Sequence, residues 1–344
     1  MPARLDPSQT SQPSVSSLTR RVALGLLFGF VVLLVLALAS DLRQVSAQML
    51  AFRWALFPAA LGLTLFNYTL RFFKWHYYLG QIGVRGLPLL HSARLFVAGF
   101  PLAVTPGKAG EVLKGLWLRQ ASGVPAARGV SVVIAERVSD GLAVMMLSIL
   151  GVFAYPQYWP AFAFMLAALL GVVLVSQIRP LALWLLALGE RLPLFRRFAH
   201  NMHEFYEGSF ALFRPRATLL AVGLGIVSWL GEGLGMYLIL IGLGVPPGWG
   251  TLSVGVFALS FSVAIGAAST LPGGLGASEA TIAVILSLAL GLDSSTAAAA
   301  TLLIRFATLW FGVSLGLAVW AFSPQLLGLA AAKAPAAQPE GEPK

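Results

Sequence analysis

Leu271-Pro-Gly-Gly-Leu-Gly-Ala-Ser-Glu279 separates two long apolar segments and interrupts both. Pro272 has no backbone donor, and Gly273, Gly274 and Gly276 cannot hold a regular helix. At membrane depth, backbone freed in this way must be buried in protein or line a wet cavity. Glu279 closes the break, and a carboxylate there is costly unless it is paired or has a task. The stretch therefore points to a helical membrane protein with a functional interruption.

The same device occurs earlier as Thr105-Pro-Gly-Lys-Ala-Gly-Glu111, where Pro106, Gly107 and Gly110 match Pro272, Gly273 and Gly276 in spacing. From each closing Glu, 26 residues lead to an arginine inside an apolar segment: Glu111 to Arg137, and Glu279 to Arg305. Paired broken segments at corresponding places in two halves are a sequence-level pointer to the binding site of a transporter-like fold.

Composition sets the class. Of 344 residues, 58% are hydrophobic and only 10% charged, with mean hydropathy +0.83. Soluble domains carry about 25% charged residues. The net charge of +10 sits largely in short loops, which fits orientation signals and contact with anionic headgroups rather than nucleic acid. The chain has no cysteine, which excludes disulfides, thiol catalysis and Cys-ligated metals.

Apolar runs predict six full crossings, over residues 22–39, 54–79, 129–153, 161–178, 217–243 and 297–322. Two broken pieces, at 89–118 and 252–290, read as re-entrant hairpins. Residues 1–20 and 324–344 read as disordered tails around one domain at 21–323, with repeat one at 54–153 and repeat two at 217–322. Trp75, Tyr77 and Tyr78 beside Lys74 read as an interfacial belt. Residues 179–216 read as a basic connection containing a surface amphipathic helix. The count places both termini on the basic, cytoplasmic side and the hairpins on opposite faces, as in an inverted repeat. The expected fold is all-α and polytopic.

The candidate substrate-binding and translocation residues are Arg71, Lys108, Glu111, Glu136, Arg137, Asp140, Glu232, Glu279 and Arg305. Ionisable groups inside apolar segments suggest function by default, although buried ion pairs that fix helix register are the plainer reading. Glu136, Arg137 and Asp140 share one helical face by spacing. Gly231, Gly233 and Gly235 beside Glu232 suit close helix packing. The hairpin residues are Pro106, Gly107, Gly110, Pro272, Gly273, Gly274 and Gly276, whose freed N–H groups suit an anion. Pro-Gly-Lys108 is not a nucleotide-binding loop, because its spacing is wrong and no Ser or Thr follows the lysine. His200, His203, Glu204 and Glu207 share a helical face, but as polar residues of the basic connection they are expected to face water rather than a metal. No cofactor is expected.

Taken together, Leu271–Glu279, the Pro106–Glu111 copy and Glu136-Arg-Val-Ser-Asp140 resemble the lysylphosphatidylglycerol synthase transmembrane (flippase-like) family, over about residues 20 to 323. The resemblance implies a polytopic bacterial inner-membrane protein that translocates a phospholipid, hopanoid or polyprenyl-type lipid by alternating access. The family usually has arginine where Lys108 stands. The full synthase carries a soluble aminoacyl-transferase domain after its membrane part. Only some twenty residues follow here, so the synthase reaction is not expected. The alternatives are a membrane-embedded transferase acting on a lipid carrier, or a scaffold for a lipid-biosynthesis enzyme. Expected partners are a membrane lipid, anionic headgroups, and a second copy of the chain or a biosynthetic enzyme.

Overall fold

The computed structural model describes residues 15–39, 41–105, 110–154, 159–190 and 199–323. Among them there is no strand. The chain opens with α1 (Val15–Ala39) and α2 (Leu42–Ala51), then bends by 70° through a 3-10 turn into α3 (Phe57–Gln81). A first broken hairpin follows: α4 (Leu89–Ala98), a 3-10 turn over Phe100–Val104, and α5 (Leu113–Ser122). The long helix α6 (Ala126–Ala154) comes next, then α7 (Trp159–Gln177), α8 (Arg179–Glu190) and α9 (Ala199–Leu212). The second half repeats the order. It has a long span α10 (Pro215–Gly242), a broken hairpin α11 (Trp249–Ala268) and α12 (Ala277–Leu290), and a closing span. That closing span is α13 (Ser294–Arg305), a π turn at Phe306–Trp310, and α14 (Phe311–Phe322).

Five segments among the described residues are long and apolar enough to cross a bilayer: α7, α10, α11, Pro272–Leu290, and Ser294–Phe322. Helix α7 is apolar all round and almost wholly unburied within the protein, which is the surface expected toward lipid. Helices α10 and α11 are buried over more than half of their most apolar stretch, so they form the centre. Glycines set that centre's spacing. A Cβ on Gly233 would lie 2.9 Å from Val256 Cγ2, and one on Gly225 would lie 2.8 Å from Ala143 Cβ. Close backbone approach through small residues is how helices pack where lipid removes the hydrophobic driving force.

The two hairpin tips meet. The turn at Phe100–Val104 packs on the turn at Pro272–Gly274, and α1 crosses both. Gly274 has φ 67°, and a Cβ there would stand 2.9 Å from the Gly266 Cα. Only glycine fits both the left-handed backbone and the approach of α11. The first tip is closed by Thr105, whose hydroxyl donates to Leu102 O at 2.6 Å and accepts from Gly110 N at 2.9 Å.

Several expectations are corrected. In the second hairpin α11 is span-length at 20 residues, and the return reaches 19 only when the broken turn is counted with α12, which itself has 14. The two arms of the first, 10 residues each, are both too short to cross. Of the expected N-terminal tail, Val15–Arg20 are already helical in α1, and residues 1–14 and 324–344 lie outside the described residues. Trp75 and Tyr78 are buried, not an interfacial belt. They pack with Phe96, Leu118 and Leu212 in a core between the first hairpin and α6. Helix α9 is not a surface helix either. Its Gly208 lies against Ser131, and it buries Tyr206, Ser209 and Leu212 against α6. The surface role falls to α8, with Trp184, Leu185 and Leu188 exposed.

Candidate functional site

One face of α3 carries Thr64, Asn67, Arg71, Lys74 and Tyr78, all buried. Their spacing of three and four residues makes a polar stripe in an otherwise apolar helix. Lys74, fully buried, is ion-paired to Asp140 Oδ1 on α6, and Arg71 Nε reaches Asp140 Oδ2 at 3.3 Å. The Arg71 guanidinium also lies over the Trp229 ring, 5.5 Å from its centroid. Two cations on one carboxylate offset the desolvation that would make either costly alone.

On α6, one turn earlier, Glu136 Oε2 holds Lys114 Nζ at 2.9 Å. The same ammonium lies 4.2 Å from the centre of the Trp75 ring, and such contacts strengthen when water is excluded. Arg137, the next residue, turns toward the first hairpin and reaches Glu111 Oε2 at 3.3 Å. Its counterpart is Arg305, with Nε 2.5 Å from Glu279 Oε1 and Nη2 donating to Gly273 O at 3.1 Å. Glu279 Oε2 accepts from Gly276 N at 2.6 Å, so the same carboxylate also satisfies a free donor at the start of α12. Each broken hairpin is thus tied by its Glu to the arginine 26 residues on.

These groups surround a cavity of about 140 Å³ between the two hairpins, α3, α10 and the π turn. Arg71, Lys114, Arg137 and Arg305 line it, with Glu111 and Glu232. Asp140, Glu136 and Glu279 are not on its surface. They stand behind the wall, each holding a lining cation from the rear. The face shown to the cavity is therefore cationic, while the protein around it is close to neutral. Tyr68 also lines the cavity and donates to Thr308 O, a carbonyl of the π turn, at 2.8 Å. Widened turns of this kind recur at functional sites because they release backbone groups from the helix ladder.

A family model described as the lysylphosphatidylglycerol synthase TM region matches residues 22–316. The chain belongs to this family. It is also 25% identical over 312 residues to a UPF0104 membrane protein of Methanothermobacter thermautotrophicus, covering 84% of this chain and 90% of that one. A second UPF0104 membrane protein of the same organism is 28% identical over 233 residues, covering 61% of this chain and 67% of that one.

For this member of the lysylphosphatidylglycerol synthase TM region family, the structure gathers Arg71, Glu111, Arg137, Glu232 and Arg305 around one cavity, with Glu136, Asp140 and Glu279 just behind it. Pro106, Gly107 and Lys108 lie outside the described residues. Glu136, Arg137 and Asp140 do share α6, but they address four partners rather than one another. Sequence reasoning missed Lys74 and Lys114. The stripe through Arg71 was the available signal for Lys74, and the position three after Glu111 was the one for Lys114. Glu204 and Glu207 take Arg128 at 2.5 Å and Arg179 at 2.8 Å, so these carboxylates serve to anchor α9.

Proposed function

We propose that the chain is a lipid translocator, carrying a lipid with an anionic headgroup across the cell membrane by alternating access about this cavity. The observation that supports the reading most is the placement of charge. Four cations face the space between the hairpin tips, with three of their counter-carboxylates set behind the wall. Arginine forks suit a phosphate geometrically, and a site that keeps its cations paired from the rear offers them at low desolvation cost. The lipid is a phospholipid, hopanoid or polyprenyl-type lipid whose headgroup enters the cavity while its chains stay in the bilayer. The two halves would act as inverted repeats that move against each other where the hairpin tips touch. In this reading the protein is a multi-pass protein of the bacterial inner membrane, with its termini on the cytoplasmic side that the basic loops favour.

The test is translocation of a headgroup-labelled phosphatidylglycerol in liposomes holding the purified protein. Wild type is expected to move label faster than empty liposomes. Arg137→Ala and Glu279→Gln should each slow it by about tenfold or more, the scale of one lost charge-assisted contact. Equal rates for all three proteins would reject the reading.

A further inference from the structure

Among the described residues, the interior around the cavity holds five cations, Arg71, Lys74, Lys114, Arg137 and Arg305, and five carboxylates. Four of the carboxylates are taken. Asp140 holds Arg71 and Lys74, Glu136 holds Lys114, Glu111 holds Arg137, and Glu279 holds Arg305. The fifth, Glu232, has no ion pair and no hydrogen-bond partner among the described residues, although it is buried to 4% exposure in the middle of α10 and lines the cavity. Protonating any of the other four would break a bridge; protonating Glu232 breaks none.

Near Glu232 come Tyr68 and Arg71 from α3, Asp140 from α6, and Arg305 from α13. Helix α11 and the Trp54–Leu56 turn, both packed on α10, contain no titratable group. With all ten groups ionised, the charges of the described interior residues cancel. A headgroup phosphate entering toward Arg71 and Arg305 would leave one excess negative charge in a site away from water, which is costly. One added proton removes it, and Glu232 is the place where it can sit without cost to a bridge.

We infer that Glu232 is a proton-binding site and that an anionic headgroup and one proton occupy the cavity together. The inference rests on the lipid reading above and adds the stoichiometry and the residue. The proton comes from the aqueous side that admits the headgroup, resides on the Glu232 carboxylate, and leaves with the headgroup on the other side. Because the proton is taken up on binding, affinity rises as pH falls.

The probe is dihexanoylphosphatidylglycerol, whose phosphodiester stays ionised throughout the range, titrated into the full chain in detergent by calorimetry from about pH 6 to about pH 8. Repeating the titration in buffers of different ionisation enthalpy counts the protons. Wild type should take up close to one proton per lipid and lose affinity by up to about tenfold per pH unit. Glu232→Gln should bind with a flat pH profile and no uptake, and Glu232→Asp should restore both. Monodisperse elution of each variant checks the fold. Binding by wild type that is as flat as that of Glu232→Gln would overturn the inference and leave the lipid reading standing. Absence of binding by wild type at every pH, with the protein monodisperse, would overturn both.

Discussion

Asp140 is the residue on which the interior depends most directly, because it alone carries two buried cations, Lys74 and Arg71. Asp140→Asn strands both cations where they are buried. Breaking a buried pair in this way costs about 3–5 kcal/mol. Lys74→Met should cost less, since Arg71 keeps Asp140 and the methionine fills an apolar slot beside Tyr78. Thermal unfolding in detergent should therefore rank Asp140→Asn well below Lys74→Met, and the reverse order would contradict the pairing. Residues of this kind were unevenly legible in the sequence. Glu111 with Arg137 and Glu279 with Arg305 could be read from a shared spacing of 26. Lys74 could not, because Trp75 and Tyr78 beside it give the pattern of a membrane-interface belt. What decides against that pattern is Asp140, 66 residues away in sequence.

At the level of elements, the start of the last span shows how a cap ties local chemistry to pH. Asp293 lies just outside the span beginning at Ser294. Its Oδ2 accepts from the Thr296 hydroxyl at 2.7 Å, and its Oδ1 accepts from Ser295 N and Thr296 N, each at 3.0 Å. The Thr296 hydroxyl first, then these backbone donors, hold the Asp293 carboxyl below the ordinary carboxylate range. A carboxyl lowered on folding contributes stability that is full above its unfolded value and lost as pH falls through the folded one. Asp293→Ala should lose about 1 kcal/mol at neutral pH. The gap from wild type should close below about pH 4, as read by thermal unfolding at the two conditions. Elements were more legible than single residues. Proline and glycine marked both breaks in the sequence, and apolar runs marked the spans. The lengths of the second hairpin's arms were harder to read, because α11 and α12 are apolar on nearly every face and their ends are set by packing. Helix α9 was legible on one face only, with His200 and His203 exposed as expected. Its polar composition suggested water, while Gly208 and Ser209 let it sit against α6.

Across the whole molecule, the two halves touch at their hairpin tips. Val104 Cγ1 lies 3.5 Å from where a Cβ on Gly273 would stand. The chain has no cysteine, so Val104→Cys with Gly273→Cys gives a clean cross-link test. A disulfide that forms under oxidant should stop lipid movement in liposomes, and reductant should restore it. Unchanged movement in the cross-linked protein would mean that the tips do not part during transport. The rearward carboxylates have a consequence of their own for such a cycle. A carrier whose arginines already hold their partners in the scaffold has no need to borrow a halide when its cargo has gone. On the translocator reading the return stroke would then move no inorganic ion, and swapping chloride for a bulky organic anion should leave turnover where it was.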